Sequence, residues 1–200
     1  MRSLFLFTLL IAGSFIANAQ SIVDFPATTG RIAVAKLNFS KHWAYPWYVV
    51  KHPNGKFENT LGSDVKKADT AHLYFTANCQ TNVMGGYKLR YCFANKNVNG
   101  IRLKFADGSP AYENEYLVYI TKNKHSFEPK LTYPVLVPDH DKTYRVIKST
   151  LNLDPQDDDK TEILSGYIDA EFIETTSAPK TKPVTRKYYF RGYFKTEIKS

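Results

Sequence analysis

The residues that could do chemistry here begin with two cysteines, Cys79 and Cys92, the only thiols in the chain. Between them lies Gly85-Gly86, a two-residue turn signal, because both positions accept φ > 0 without a Cβ clash. With that turn Met84 opposes Tyr87, and counting outward sets Cys79 directly across from Cys92. The pair falls on a non-hydrogen-bonded site, where cross-strand side chains approach most closely. The spacing therefore predicts a Cys79–Cys92 disulfide, contributing roughly 2–3 kcal/mol for so short a loop. The same register predicts Tyr87, Leu89, Tyr91 and Phe93 on a core face, with Lys88, Arg90 and Cys92 on the other. Bonded cysteines leave no thiol nucleophile.

A second constellation is aromatic. Trp43, Tyr45 and Trp47 recur at every second position and would project from one face of a strand. Buried, such a row is core, which the large apolar area of these side chains favours. Exposed, it would stack against sugar rings or another apolar ligand, and Pro46 places it near a sheet edge, where exposure is more natural.

A third set is acidic. The segment Ile168-Asp169-Ala170-Glu171-Phe172 resembles the E-I-D-x-E strand motif of jelly-roll glycosidases that cleave β-glucans. That resemblance implies an aspartate and an acid/base at Asp169 and Glu171, projecting from one strand face into a cleft. The nucleophile position holds Tyr167, which removes the carboxylate pair that a retaining mechanism requires. The alternative is a solvated face paired with Arg191 or Lys195. The Cys79-x-x-Asn82…Gly85-Gly86-Tyr87 arrangement resembles the opening of small exported β-domains of the META type, without their downstream threonine-cysteine partner, and carries no function across.

Other candidates are weaker. The acidic loop from Asp154 to Asp159, with Glu162 beyond, holds carboxylates enough for calcium but lacks the alternation and sixth-position glycine of an EF-hand. A solvated loop is the favoured reading. The five histidines (His42, His52, His72, His125, His140) show no metal-ligand spacing, and Asp139-His140-Asp141 stands alone in a proline-flanked loop. No serine sits in a G-x-S-x-G elbow. No cofactor motif and no metal site is expected.

The elements that must position these residues follow from composition and punctuation. Residues 1–19 read as a cleaved signal peptide: Arg2, an apolar run from Leu4 to Ala12, and Ala17-Asn18-Ala19 as the cleavage site. The remainder, 20–200, is expected to be a single exported, soluble domain, secreted or periplasmic, without a transmembrane helix. Export permits the disulfide. Formal charge is +8, one unit of it on Arg2, so +7 remains on the exported part and favours anionic partners. Outside the cytoplasm anionic glycans, lipid head groups or plain solubility are the expected readings of that charge, with no nucleic-acid partner expected.

The chain contains 14 Tyr and 13 Phe, which together with its Thr, Val and Ile favour strands. Expected strands cover Arg31–Phe39, His42–Val50, Leu73–Ala77, both sides of the cysteine hairpin, Ile101–Phe105 and Tyr116–Thr121. Further strands surround Phe127 and span Tyr144–Leu153, Ile163–Thr175 and Lys187–Ile198, the last two as a hairpin. Turns are expected at His52-Pro53-Asn54-Gly55, Asn99-Gly100, Asp107-Gly108-Ser109-Pro110 and Lys122-Asn123-Lys124, while 61–71 is a loop or a short capped helix. In the last hairpin Ile168, Ala170, Phe172, Tyr188, Phe190, Phe194 and Ile198 should face inward. Pro129, Pro134 and Pro138 should make their segment poor at pairing.

Roughly ten short strands with turn signals between them indicate an all-β fold, an antiparallel sandwich with a lipocalin-like barrel as the alternative and little helix. The function expected from this pattern is a non-enzymatic binding or structural module at or outside the cell surface, with Trp43, Tyr45 and Trp47 as the first ligand-binding candidates and a glycan or amphiphile as the ligand. The alternatives are a jelly-roll glycoside hydrolase using Asp169 and Glu171, and a small-ligand barrel carrier with an enclosed apolar cavity.

Overall fold

The computed structural model describes residues 23–106, 114–132, 140–155 and 162–199. The expected signal peptide, the expected Asp107–Pro110 turn, Pro134, Pro138, Asp139 and most of the acidic loop lie outside these residues. The fold is all-β. Its strands are β1 (Asp24–Thr29), β2 (Trp43–Ala44), β3 (Val49–Lys51), β4 (Phe57–Asn59), β5 (Leu73–Tyr74), β6 (Ala77–Thr81) and β7 (Tyr87–Leu89). They continue with β8 (Tyr91–Asn97), β9 (Gly100–Ala106), β10 (Asn114–Thr121), β11 (Lys124–Leu131), β12 (Asp141–Leu153), β13 (Ile163–Ser177) and β14 (Val184–Lys199). Three 3₁₀ segments, Val34–Lys41, Lys67–Thr70 and Val83–Gly85, are the only helical turns among the described residues.

Ten strands form one large sheet in the order β13-β12-β1-β11-β10-β9-β8-β14-β6-β7, and β13 also pairs with β14. The sheet is mixed, not purely antiparallel as expected: β1 runs parallel to β12, and the end of β14 runs parallel to β8. Two strands act as seams. β1 pairs with β11 through Asp24–Pro26 and with β12 through Ala27–Thr29. One edge of β14 meets β6 at Phe190–Phe194 and then β8 at Ile198 and Lys199.

Aromatic and branched side chains from both halves fill the space between these seams. Leu103 and Phe105 of β9, Tyr116 and Val118 of β10 and Phe127 of β11 meet Ile168, Ala170 and Phe172 of β13 and Phe190 and Phe194 of β14. The ring of Tyr116 stacks on Phe190 with centroids 4.4 Å apart. Phe105 and Phe127 approach the same phenylalanine at 5.1 and 5.8 Å. The Tyr116 hydroxyl, which burial would otherwise penalise, donates to Thr81 Oγ1 at 3.1 Å. Burial pushes its pKa well above the usual phenol value.

Much of the strand pattern matches the expectation. Tyr116–Thr121 lies in β10, central between β9 and β11, and is buried on both faces over Tyr116, Leu117 and Val118. Lys122 and Asn123 close the two-residue turn of the β10–β11 hairpin, and Gly100 returns the chain after Asn99. In the β13–β14 hairpin Ile168, Ala170, Phe172, Phe190 and Phe194 are buried, while Tyr188 and Ile198 are half-buried. Pro129 sits inside β11 opposite Tyr116, so it does not end that strand.

Three local expectations are overturned. Residues 34–41 form a 3₁₀ segment instead of a strand and bury no side chain, while the first strand, β1, lies earlier. The long strand expected over His42–Val50 is cut in two at Pro46, where Val49 N donates to the Pro46 carbonyl and turns the chain. The third correction is the cysteine hairpin. Gly85 and Gly86 both adopt positive φ, but so does Met84, and the loop takes in Asn82–Gly86. The ladder then starts at Thr81↔Tyr87, which sets Cys79 opposite Leu89.

Arg90 completes that displacement. Its carbonyl accepts from both Thr76 N and Ala77 N, and the chain leaves β6 there to pair with β9, where Cys92 faces Phe105. Cys79 and Cys92 are therefore two buried free thiols, not a disulfide. The same break shifts the inward phase, so Leu89, Cys92 and Ala94 point into the core and Phe93 is 42% exposed.

Candidate functional site

Residues 43–74 form a small polar-aromatic annex beside the large sheet. It holds two ladders too short to be stable alone: β2 with β5 (Trp43↔Tyr74, Ala44↔Leu73) and β3 with β4 (Val49↔Asn59 to Lys51↔Phe57). The β3–β4 turn is the expected one. His52 N donates to the Lys56 carbonyl, Lys56 N donates to Asn54 Oδ1, and Gly55 takes positive φ. Side-chain rings fasten the ladders to each other. Trp43 stacks on His72 at 3.9 Å between centroids and meets Tyr45 edge-on at 5.1 Å. Tyr45 in turn meets Phe57 of β4 at 5.0 Å, and His72 meets Tyr74 at 6.0 Å. A Tyr48 hydroxyl bond to Asp69 Oδ1, 3.1 Å long, ties in the 67–70 turn and raises the Tyr48 pKa.

Trp43 and Tyr45 are thus brought together, but Trp47 is not part of their cluster. After the turn at Pro46 its ring packs edge-on against Tyr48 and stays 49% exposed. Sequence periodicity missed His72, Leu73, Tyr74 and Phe57, which arrive from other strands. For the first three the signal was the aromatic-rich run His72-Leu73-Tyr74-Phe75, while Phe57 carries none.

Next to this cluster lies a cleft of about 430 Å³, between β5, the start of β8 and the end of β14. Leu73, Tyr74, Phe75, Tyr91, Phe93 and Ile163 make its apolar walls. Phe75 sets its edge on Tyr91 at 5.9 Å, and Tyr91 stacks with Phe93 at 6.4 Å. The floor includes Thr76, Cys92 and Thr196, whose polar groups are mutually satisfied. Thr76 Oγ1 accepts from Cys92 N and both threonine hydroxyls donate to the Cys92 carbonyl, all within 2.9 Å. Burial raises the Cys92 thiol pKa, so the floor carries no thiolate. Lys195, Glu197 and Lys199 stand along the β14 side of the cleft.

Four side chains on the cleft wall are large, hydrophobic and more than a third exposed: Leu73, Tyr74, Phe93 and Ile163, with Tyr74 highest at 57%. Trp43, directly paired with Tyr74, extends this apolar surface. Scattered exposed hydrophobics need no explanation, whereas these four share one concavity.

The carboxylates of the glycosidase-like segment are placed elsewhere and are spoken for. Asp169 and Glu171 project from the face of β13 opposite the core, as expected. Asp169 Oδ1 lies 3.3 Å from Arg191 Nε, its partner across the ladder. Glu171 meets Lys187 at 2.7 Å, and this contact lowers its carboxyl pKa. Arg191 also covers the Tyr189 ring at 4.4 Å, and Tyr167 packs on Tyr193. An ion-paired, tyrosine-lined sheet face is what the arrangement provides.

Of the other candidates, His125 is the notable one. It is buried at 1% exposure and shares a 2.7 Å hydrogen bond with Ser149 Oγ of β12, itself buried. A histidine–serine contact suggests a nucleophile and its base, but Ser149 is closed off from solvent and the bond spans the β1 seam as a structural tie. Asp154 accepts from Ile32 N at 3.3 Å, which makes the described end of the acidic loop a backbone anchor. No group of three or more His, Cys, Asp or Glu among the described residues could hold a metal ion. No helix among them is long and apolar enough to cross a membrane. The chain matches no known family model, no curated protein and no solved structure.

Proposed function

We propose that this chain is a non-enzymatic, exported binding module whose ligand surface is the cleft between β5, β8 and β14 together with the Trp43–Tyr45–His72–Tyr74 cluster. One observation carries this reading: four large hydrophobic side chains that folding leaves exposed, Leu73, Tyr74, Phe93 and Ile163, border one cleft of ligand size. The packed interior supports an external ligand site over an enclosed one, since rings from both halves of the sheet occupy the space a carrier cavity would need. The paired state of Asp169 and Glu171, with Tyr167 at the third position, argues against glycoside hydrolysis. Export rests on the N-terminal pattern of Arg2, an apolar run and Ala17-Asn18-Ala19.

Between the two ligand classes that aromatic surfaces serve, the ring geometry favours an amphiphile over a glycan. Sugar stacking needs an open ring face, and His72 already occupies one face of Trp43 at 3.9 Å. Tyr45 abuts the same indole edge-on. The cleft wall beside it, built by Leu73, Phe75, Tyr91 and Phe93, suits an acyl chain.

The chain's only two tryptophans, Trp43 and Trp47, both lie in the annex, so their emission reports on this surface. The test is titration with the neutral apolar dye N-phenyl-1-naphthylamine, following energy transfer from tryptophan. Saturable binding at micromolar dye is expected, and it should be lost in Tyr74→Ala/Phe93→Ala with the circular dichroism spectrum unchanged. Absence of saturable binding by the folded wild-type chain would refute the reading.

A further inference from the structure

The cleft is apolar on its walls but not electrically neutral at its rim. Among its lining residues Lys195 and Lys199 stand on the β14 side with Glu197 between them as the one carboxylate. The Arg90 guanidinium lies 5.3 Å over the ring of Phe75, which forms part of the wall. Neither lysine forms an ion pair among the described residues. Two lysines against one carboxylate thus line a hydrophobic trough, with Arg90 over one wall residue, and the floor hydroxyls are already committed to the Cys92 backbone. Such a floor offers little to the hydroxyls of an uncharged polar head, while the rim lysines attract an anion.

From this we infer that the cleft takes a single-chain amphiphile with an anionic head, a long-chain carboxylate. Its chain lies against Tyr91, Phe93, Phe75 and Leu73, and its head sits at Lys195 and Lys199. The inference rests on the reading of the cleft as the ligand surface and adds the chemistry of what fills it. A free carboxylate is favoured over a bilayer surface because the apolar residues line a concavity of about 430 Å³, which suits one chain and not a planar membrane.

The test is calorimetric titration of the chain lacking residues 1–19 with three amphiphiles of equal chain length, each below its micelle concentration: dodecanoate, dodecyl maltoside and dodecyltrimethylammonium. Dodecanoate should bind at least tenfold more tightly than the maltoside, and the cationic amphiphile most weakly. Lys195→Gln/Lys199→Gln should reduce dodecanoate affinity about tenfold and leave the maltoside unchanged. Decanoate should bind roughly 15-fold more weakly than dodecanoate, since each buried methylene is worth about fourfold in affinity. Equal affinity for the three heads would overturn the inference while leaving the ligand surface standing. No binding of any amphiphile would overturn both. Capture by anionic phospholipid vesicles without binding of monomeric dodecanoate would also overturn it, assigning the rim to a membrane.

Discussion

Replacing Phe190 by alanine separates a packed interior from a ligand cavity. Phe190 is fully buried at the centre of the fold, stacked on Tyr116 at 4.4 Å and flanked by Phe105 at 5.1 Å and Phe127 at 5.8 Å. Truncation forfeits the transfer free energy of a buried aromatic side chain, about 2–3 kcal/mol. The cavity left behind adds to this, because neighbours drawn from two halves of the sheet relax only partially. A total loss of about 4 kcal/mol follows, within the range for Phe→Ala in closed cores. For a domain of this size, roughly 2–4 °C per kcal/mol converts that to a melting-temperature drop of about 8–16 °C. Urea unfolding followed by far-ultraviolet circular dichroism measures the free energy, and calorimetry the melting temperature. Phe190→Leu should lose much less, since it refills most of the volume. A loss below about 1 kcal/mol for Phe190→Ala would show an interior with room to spare, as a carrier has, and would refute the placement of the ligand outside.

Three further outcomes follow from the same geometry. Thiol titration of the purified protein should give no reaction in the native state and two thiols per chain after denaturation without reductant, because Cys79 and Cys92 are free, buried and held protonated by desolvation. Finding no thiols after denaturation would restore the bonded register. Stability should fall on acidification through the histidine range. Burial lowers the His125 pKa, while the Pro26 and Phe25 backbone and Asp24 oppose this by less. The folded state therefore binds fewer protons than the unfolded one, so the contribution is intact above about pH 6.5 and is lost as pH falls towards the folded pKa. His125→Gln should flatten that slope in pH-dependent urea melts, and an unchanged slope would exclude His125 as its source. Gly192→Ala should be poorly tolerated. At φ +153° an added Cβ would lie 2.3 Å from the Asn78 carbonyl oxygen and 2.4 Å from Cys79 Cα, so β6 must move off β14. A cost above about 1 kcal/mol is expected, and a neutral substitution would contradict the β6–β14 crossing.

The parts of this fold that were legible in the sequence are those set by contiguous residues. His52-Pro53-Asn54-Gly55, Asn99-Gly100 and Lys122-Asn123 fix their own turns, and period-two alternation fixes the inward face of Ile168, Ala170, Phe172, Phe190 and Phe194 once the pairing is continuous. The Cys79–Cys92 register failed because it depended on a single loop. Positive φ at Met84 as well as at Gly85 and Gly86 lengthened the turn, and a residue type rarely found there gave no warning. The exposed Phe93 followed from the partner exchange at Arg90, a tertiary event with no local mark. β1 was invisible for the same reason. Asp24–Thr29 is polar and contains Pro26, and it becomes a strand only by bridging β11 and β12. At the proposed ligand surface, Trp43 and Tyr45 were legible from their spacing, but Tyr74 reaches Trp43, and the end of β14 reaches β8, only through long-range pairing.

The most direct test of the ligand surface is a nuclear magnetic resonance titration of the isotope-labelled chain with monomeric dodecanoate. The expected shift changes are confined to Leu73, Tyr74, Phe93, Ile163, Lys195 and Lys199, with smaller ones at Trp43 and His72, and none at Phe190, Tyr116 or the Asp169–Arg191 pair. Changes centred on Phe190 and Tyr116 would place the ligand inside the fold, and changes centred on Asp169 and Glu171 would return the polar sheet face to first place. Either result would contradict the account.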